Sequence, residues 1–271
     1  MKNALWVNAR SAFFFASISS ILLFTSSLTQ ADKCRAADLG RGRGERVAIQ
    51  YVYDGDTLTL KDGRKIRLIG VNTPERGRKG RPDESLALEA KQALQGALQG
   101  AGVQSRVVRL YVGREPEDAY GRQLAHVFVE GQSLAEMLLG QGLGWHVVLP
   151  PNTGLAACFA AAEQSARQRG KGLWRASLPQ FVGTGSLQRG GYQRVRGRVK
   201  KVSFAKAWWI NFDDGFVAVI YPENQHLFDK TTVATWRGKR LEIEGWVYAA
   251  KYRGKAQWRI KLATPFALSL R

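Results

Sequence analysis

The sequence predicts two β-rich units in tandem: an α+β domain built around a curved antiparallel sheet, then a smaller all-β barrel. Three observations carry this expectation. Runs of β-branched and aromatic residues recur between glycine-containing turns, beginning with VAIQYVY at Val47. Apolar stripes of helical period interrupt those runs between Asp83 and Gln168. From Tyr192 the strand pattern resumes in a new order. A length of 271 residues suits two ordinary domains, and 45% hydrophobic residues can fill their cores, which excludes wholesale disorder.

The N-terminal segment reads as an address. Lys2 and Arg10 precede an apolar run from Ala12 to Phe24, shorter than the ~20 residues a helical membrane span needs. Thr29 and Ala31 suit cleavage at about Ala31. Residues 1–31 are therefore expected to be a signal peptide and the mature chain exported, periplasmic or secreted; an uncleaved anchor is the alternative. Residues 32–46 read as a flexible basic leader. In an oxidising compartment Cys34 and Cys158 could pair, while two free thiols, with Cys158 simply buried, fit equally well. Two cysteines and three histidines exclude a disulfide scaffold and a His-based metal cluster.

The first domain is expected over residues 47–177. Its strands are Val47–Tyr53, Thr57–Leu60 and Lys65–Val71, joined by turns at Asp54-Gly55-Asp56 and Asp62-Gly63. A loop rich in glycine and positive charge leads to a helix over Asp83–Gln99, whose acidic start suits its dipole. Strands Val103–Val112 and Gln123–Val129 follow. Ser133 caps a short helix ending near Gly142, and Leu155–Gln168 is a third helix. Trp174 is expected to plug the core beyond that helix. His126 and His146 read as structural.

Residues 178–191 read as a linker. Beyond it, strands at Tyr192–Phe204, Trp208–Phe212 and Phe216–Tyr221, a helical connection over Pro222–Trp236, and strands at Arg240–Ala249 and Gln257–Leu262 follow the order of an OB barrel over 192–271. The charge of +19 comes from 41 basic and 22 acidic residues. Residues 185–271 hold 17 of the basic and 6 of the acidic ones. Arg194, Arg196, Arg198 and Lys200 alternate along one strand and should share a face. Trp209 and Trp246 are the stacking candidates beside them, whereas Trp258 alternates with core residues. A basic face with aromatic neighbours suits single-stranded nucleic acid. The competing readings are an anionic surface polymer, or a solvated outer face.

Three clusters carry chemistry in the first domain. Asp54-Gly55-Asp56-Thr57 can present carboxylates to a hard cation. Arg67 lies in a strand whose end leads to Asn72-Thr73-Pro74-Glu75. Asp118-Ala119-Tyr120-Gly121-Arg122 is a turn entering a strand. Phosphodiester hydrolysis needs a carboxylate to orient water and cationic forks to hold developing charge, and arginine suits the second task. An Arg–Glu pair on neighbouring strands could equally be a structural salt bridge.

Together these blocks resemble the thermonuclease, or staphylococcal nuclease-like, family over roughly residues 47–174. The resemblance implies a five-stranded OB-type barrel packed with three helices, and calcium-dependent, largely sequence-nonspecific hydrolysis of DNA or RNA. It implies Arg67 and Arg122 as the phosphate-binding arginines, Glu75 as general base, and Asp56, Asn72 and the Thr73 carbonyl at calcium. Tyr120 would hold a phosphate, and Arg76, Arg78, Lys79 and Arg81 would flank the incoming strand. Four positions depart from the family: Asn72 replaces an aspartate ligand and should weaken calcium binding, Val147 and Leu149 replace pocket tyrosines, and Ala119 replaces a lysine. The chain is expected to act as a monomer without stable membrane association. A non-catalytic protein that kept the fold is the alternative, although binding alone would not need Glu75.

Overall fold

A computed structural model describes residues 33–270 except 41, 78–79, 100–106, 179 and 253. The expected signal peptide lies outside the described residues, as do Arg78 and Lys79. No helix among the described residues is long and apolar enough to cross a membrane.

The first barrel uses β1 (Glu45–Val52), β2 (Thr57–Leu60), β3 (Lys65–Leu68), β5 (Val107–Glu117) and β6 (Gln123–Val129). Strand β1 lies antiparallel to β2 and β5, and β3 lies antiparallel to β2 and parallel to β6. With β5 antiparallel to β6, these five strands close. The short strands β4 (Val71–Asn72) and β8 (Trp145–His146) pair beside the barrel, and β7 (Gln132–Ser133) extends β6. Helices α1 (Ala87–Gln99), α2 (Leu134–Gln141) and α3 (Ala156–Gln168) cover it. Ile49, Leu58, Ile66, Leu94, Leu110, Leu138 and Phe159 are buried in one core.

Local chemistry sets the helix ends. The Ser133 side chain accepts from the Glu136 N–H, and Gly142 closes α2 in the left-handed conformation at φ 70°. Helix α1 starts later than its acidic residues suggest, because Leu86 adopts φ 68°. Asp83 serves the preceding loop instead: it accepts from the Gly77 N–H and pairs with Arg76 at 2.7 Å.

The leader differs from expectation. Cys34 is bonded to Cys158, 124 positions away, and its N–H donates to Glu136 Oε2 at 3.1 Å. Leu39 packs against the core. Cross-link and packing together pin a segment whose composition alone reads as loose.

The second barrel repeats the connectivity. Its strands are β10 (Gly191–Phe204), β11 (Trp208–Phe212), β12 (Val217–Ile220), β13 (Arg240–Tyr252) and β14 (Lys255–Lys261), with β9 (Val182–Gly183) before them and β15 (Leu268–Leu270) after. Strand β10 pairs with β11 and β13, β11 with β12, and β12 runs parallel to β14, which closes against β13. A short helix, α4 (Lys230–Ala234), fills part of the connection between β12 and β13. Trp208 and Trp236 join the core and Trp258 packs against it.

Residues 178–191 do not swing free between the barrels. Gln180 donates to the Leu173 and Leu178 carbonyls, and Val182–Gly183 pairs with β10. Beneath this segment lies a polar contact between the barrels. Glu244 pairs with Arg194 at 3.1 Å and with Arg167 at 3.3 Å, and Arg167 also pairs with Glu163 at 2.8 Å. The guanidiniums of Arg167 and Arg194 lie 4.1 and 4.3 Å from the Trp174 ring centroid. Trp174 is thus buried as expected, but at the junction of the barrels. Burial, then Glu244, pushes the Glu163 carboxyl up to about 7.

Candidate active site

The hairpin β2–β3 places Thr57 directly opposite Arg67, on one face. Arg67 is 9% exposed, and four contacts fix its guanidinium. Nη1 donates to the Leu68 and Val71 carbonyls at 3.0 and 2.7 Å, and Nη2 donates to Asn72 Oδ1 at 2.9 Å. Nη2 also pairs with Asp56 Oδ2 at 3.1 Å. Such a fork cannot turn without breaking several bonds at once.

Asp56 is held just as firmly. Its Oδ2 accepts from the Thr73 N–H and hydroxyl at 2.8 and 3.1 Å, and its Oδ1 accepts from the Thr57 hydroxyl at 3.1 Å. The Thr57 oxygen accepts from Arg122 Nη1 at 3.4 Å. One chain of contacts therefore runs Arg67–Asp56–Thr57–Arg122. Gly55 makes the turn possible, since a Cβ there would sit 2.7 Å from both Ala90 Cβ and Thr73 Oγ1. The role of Thr57 is not written in its residue type. Only the register of the hairpin, set by the Asp62-Gly63 turn, points to it.

Arg122 is aimed by its own turn. Asp118 Oδ2 accepts from its Nε at 2.7 Å, while Asp118 Oδ1 accepts from the Tyr120 and Arg122 N–H groups at 2.9 and 3.0 Å. Burial opposes the charge on Asp118, but these donors outweigh it and hold the carboxyl below its ordinary range. Tyr120 is 84% exposed, with the Arg122 guanidinium 5.4 Å from its ring centroid. It is poised toward solvent rather than packed.

Glu75 is exposed at the mouth of the cluster. Its N–H donates to Glu84 Oε2 at 3.1 Å, and its carbonyl accepts from the Glu84 N–H at 3.0 Å. Its charge reaches Asp54, whose carboxyl is pushed up to about 6 by burial first and by Asp56 second. Of the basic loop, Arg76 is engaged with Asp83, and Arg81 is exposed.

The donors present fit a hard cation. Asp54, Asp56 and Glu75 concentrate negative charge that disfavours ionisation of Asp54, and Asn72 adds an amide oxygen. Among the described residues, no three His, Cys, Asp or Glu side chains form a ready-made metal group, so carbonyl oxygens and water would complete a coordination shell.

The basic face expected on β10 is only partly presented. Arg194 does not share the expected exposed face: it is 8% exposed and buried against Glu244 and Trp174 between the barrels. Arg196 pairs with buried Glu242 at 2.5 Å. The register sets Arg194 opposite Glu244 and Arg196 opposite Glu242, a cross-strand neutralisation that no single-strand pattern can reveal. Arg198 and Lys200 are exposed. Trp246 is 42% exposed, and Trp209 is half-buried with the Arg259 guanidinium 5.2 Å from its ring centroid. His126 and His146 are buried as structural groups. The His146 pKa falls to about 4, through burial first and Arg167 second.

Two arginine forks are thus tied through a threonine and a carboxylate at the mouth of an OB-type barrel, with Glu75 exposed beside them. The family model for staphylococcal nuclease homologues matches residues 65–176. The thermonuclease of Staphylococcus intermedius is 33% identical over 135 residues, covering 49% of this chain and 77% of its own length. The thermonuclease of Staphylococcus hyicus is 28% identical over 157 residues, covering 57% and 90% respectively. The endonuclease YncB of Bacillus subtilis is 29% identical over 135 residues, covering 48% and 62%. The chain belongs to the staphylococcal nuclease homologue family.

Proposed function

We propose that the chain is an exported, largely sequence-nonspecific nuclease that hydrolyses the phosphodiester bonds of DNA or RNA with calcium assistance. Nuclease chemistry follows from family membership. The assignment of roles is supported above all by the continuous link from Arg67 through Asp56 and Thr57 to Arg122. Two guanidiniums held in one network can grip the non-bridging oxygens of a phosphodiester from two sides. The entering phosphate competes with Asp56 and Asn72 for the Nη2 N–H groups of Arg67. The two carbonyls on Nη1 keep the fork in place during that exchange.

As negative charge grows on the phosphorus oxygens, both arginines stabilise it without having to reorganise. Asp118 keeps the Arg122 fork aimed. Glu75, exposed at the mouth, orients the attacking water and accepts its proton. Asp56, Asn72 and the Thr73 carbonyl, helped by Asp54, would hold calcium, which when bound polarises a phosphoryl oxygen. Asn72 in place of a carboxylate lowers the ligand charge and hence the affinity. Tyr120 and Arg81 flank the phosphate path. The second barrel, with Arg198 and Lys200 exposed, supplies further cationic surface for the strand.

Digestion of single- and double-stranded substrates in calcium, and again in chelator, tests this reading together with Glu75→Gln. The expected result is loss of cleavage in chelator and a fall of about 100-fold or more in kcat for the variant. Full activity in Glu75→Gln overturns the role of the base.

A further inference from the structure

We infer that an aromatic and cationic track crosses from the catalytic barrel onto the outer face of the second barrel, and that it holds a single strand of nucleic acid by stacking. The inference rests on the nuclease reading for its substrate class, but on different residues. The track starts at Trp145, which lies opposite Asn72 in the β4–β8 pairing and so beside the Arg67 cluster. The Trp145 ring lies 5.3 Å from Tyr192, and Tyr192 lies 5.2 Å from Trp246. Three rings thus bridge the two barrels in contact.

Strand β13 carries the track onward. Val247 points into the core, so Trp246 and Tyr248 share the outer face, about 6.8 Å apart along the strand. Both are exposed, at 42% and 36%. The Tyr248 hydroxyl lies 3.1 Å from the Tyr221 hydroxyl, and Arg259 stands opposite Tyr248 on β14. Arg259 in turn lies over the Trp209 ring, and the Lys261 ammonium is 5.7 Å from the Tyr221 ring centroid.

The layer beneath is unusual for the outside of a barrel. All four residues of β12 are buried, although two of them point outward. Outward-facing Val217 and Val219, with Ala207, form a small apolar cluster of their own, against which Trp209 and Tyr221 pack. Both rings are thereby fixed on the surface and remain partly exposed. Cations alternate with them, and the nearby acids are paired: Glu223 with Lys261 at 2.9 Å, and Glu244 with Arg194 and Arg167. Rings for bases and cations for phosphates, interleaved along an exposed face, are the requirements of single-strand binding. An apolar protein partner would not need the cations, and an anionic polymer without bases would not need the rings.

The test is binding of a labelled 20-nucleotide oligothymidylate to the full chain, read by fluorescence anisotropy in chelator. A matched duplex is measured in parallel. Trp246→Ala combined with Tyr248→Ala is expected to raise Kd for the single strand ~10-fold or more, with a much smaller change for the duplex. Arg259→Gln, which spares the rings, is expected to reduce the slope of log K against log salt by about 0.7. An unchanged Kd, or an equal loss for single strand and duplex, overturns the track. Because no cleavage is involved, inactivity of the wild-type protein toward every substrate would sink the nuclease reading while leaving this result to stand by itself.

Discussion

Replacing Glu244 by Leu removes the carboxylate that Arg194 and Arg167 share between the barrels. The two arginines do not lose equally. Arg194 is 8% exposed, so its guanidinium would remain desolvated without a counter-ion. Breaking a buried pair from one side costs about 3–5 kcal/mol. Arg167 keeps Glu163 at 2.8 Å and its side chain is 35% exposed, so its share is small. Arg194 keeps its hydrogen bond to Gln180 Oε1 at 3.1 Å, which places the cost at the low end of that range. The expected loss is therefore ~3 kcal/mol, read as a lower urea midpoint by circular dichroism and tryptophan fluorescence. Adding Arg194→Leu to Glu244→Leu should recover most of it, because an apolar pair fills the site without an orphaned charge. An unchanged midpoint in Glu244→Leu would show that Arg194 does not depend on this carboxylate. An Arg194→Leu variant of native stability that sharply weakens oligonucleotide binding would make Arg194 the ligand contact that strand alternation suggests.

Two further outcomes follow from the packing. Replacing Cys34 and Cys158 by Ser should cost about 5 kcal/mol, because the bridge spans 124 positions of unfolded chain; a loss below about 1 kcal/mol, measured by urea unfolding, would show that the leader is not pinned through it. His146 carries a pKa near 4 in the fold against an ordinary 6.5, so its contribution is complete above pH 6.5 and is lost as pH falls toward 4. Glu163, raised to about 7, acts in the opposite sense and gains stability as pH falls from 7 to 4.5. The two offset each other in the native chain. His146→Phe should expose the Glu163 effect: from pH 7 to pH 5 the variant should gain about 2 kcal/mol relative to the native chain, and a constant difference between the two proteins would contradict this.

Much of the catalytic barrel was legible in local sequence. Alternation marks its strands, Ser133 and Gly142 mark the ends of α2, and the turn at Asp62-Gly63 sets the register that faces Thr57 toward Arg67. What stayed hidden is non-local. The helix beginning at Ala87 instead of Asp83 depends on a left-handed Leu86 and on the demand of the Arg76 loop for a carboxylate. The cationic ladder on β10 looked exposed because its neutralising partners, Glu242 and Glu244, lie 46 and 50 residues away and become adjacent only through the β10–β13 register. The same distance hid the ring contacts between Trp145, Tyr192 and Trp246. Strand patterning tells which residues share a face but not what covers that face.

In the proposed mechanism Arg67 acts through a fixed, bidentate fork rather than through charge alone. Steady-state kinetics of Arg67→Lys on a defined oligonucleotide in calcium test it most directly. Lysine keeps the charge but cannot reach the Leu68 and Val71 carbonyls, Asp56 and Asn72 together. The expected result is a fall in kcat of about 100-fold or more with little change in KM. An Arg67→Lys enzyme with native kcat would contradict the account.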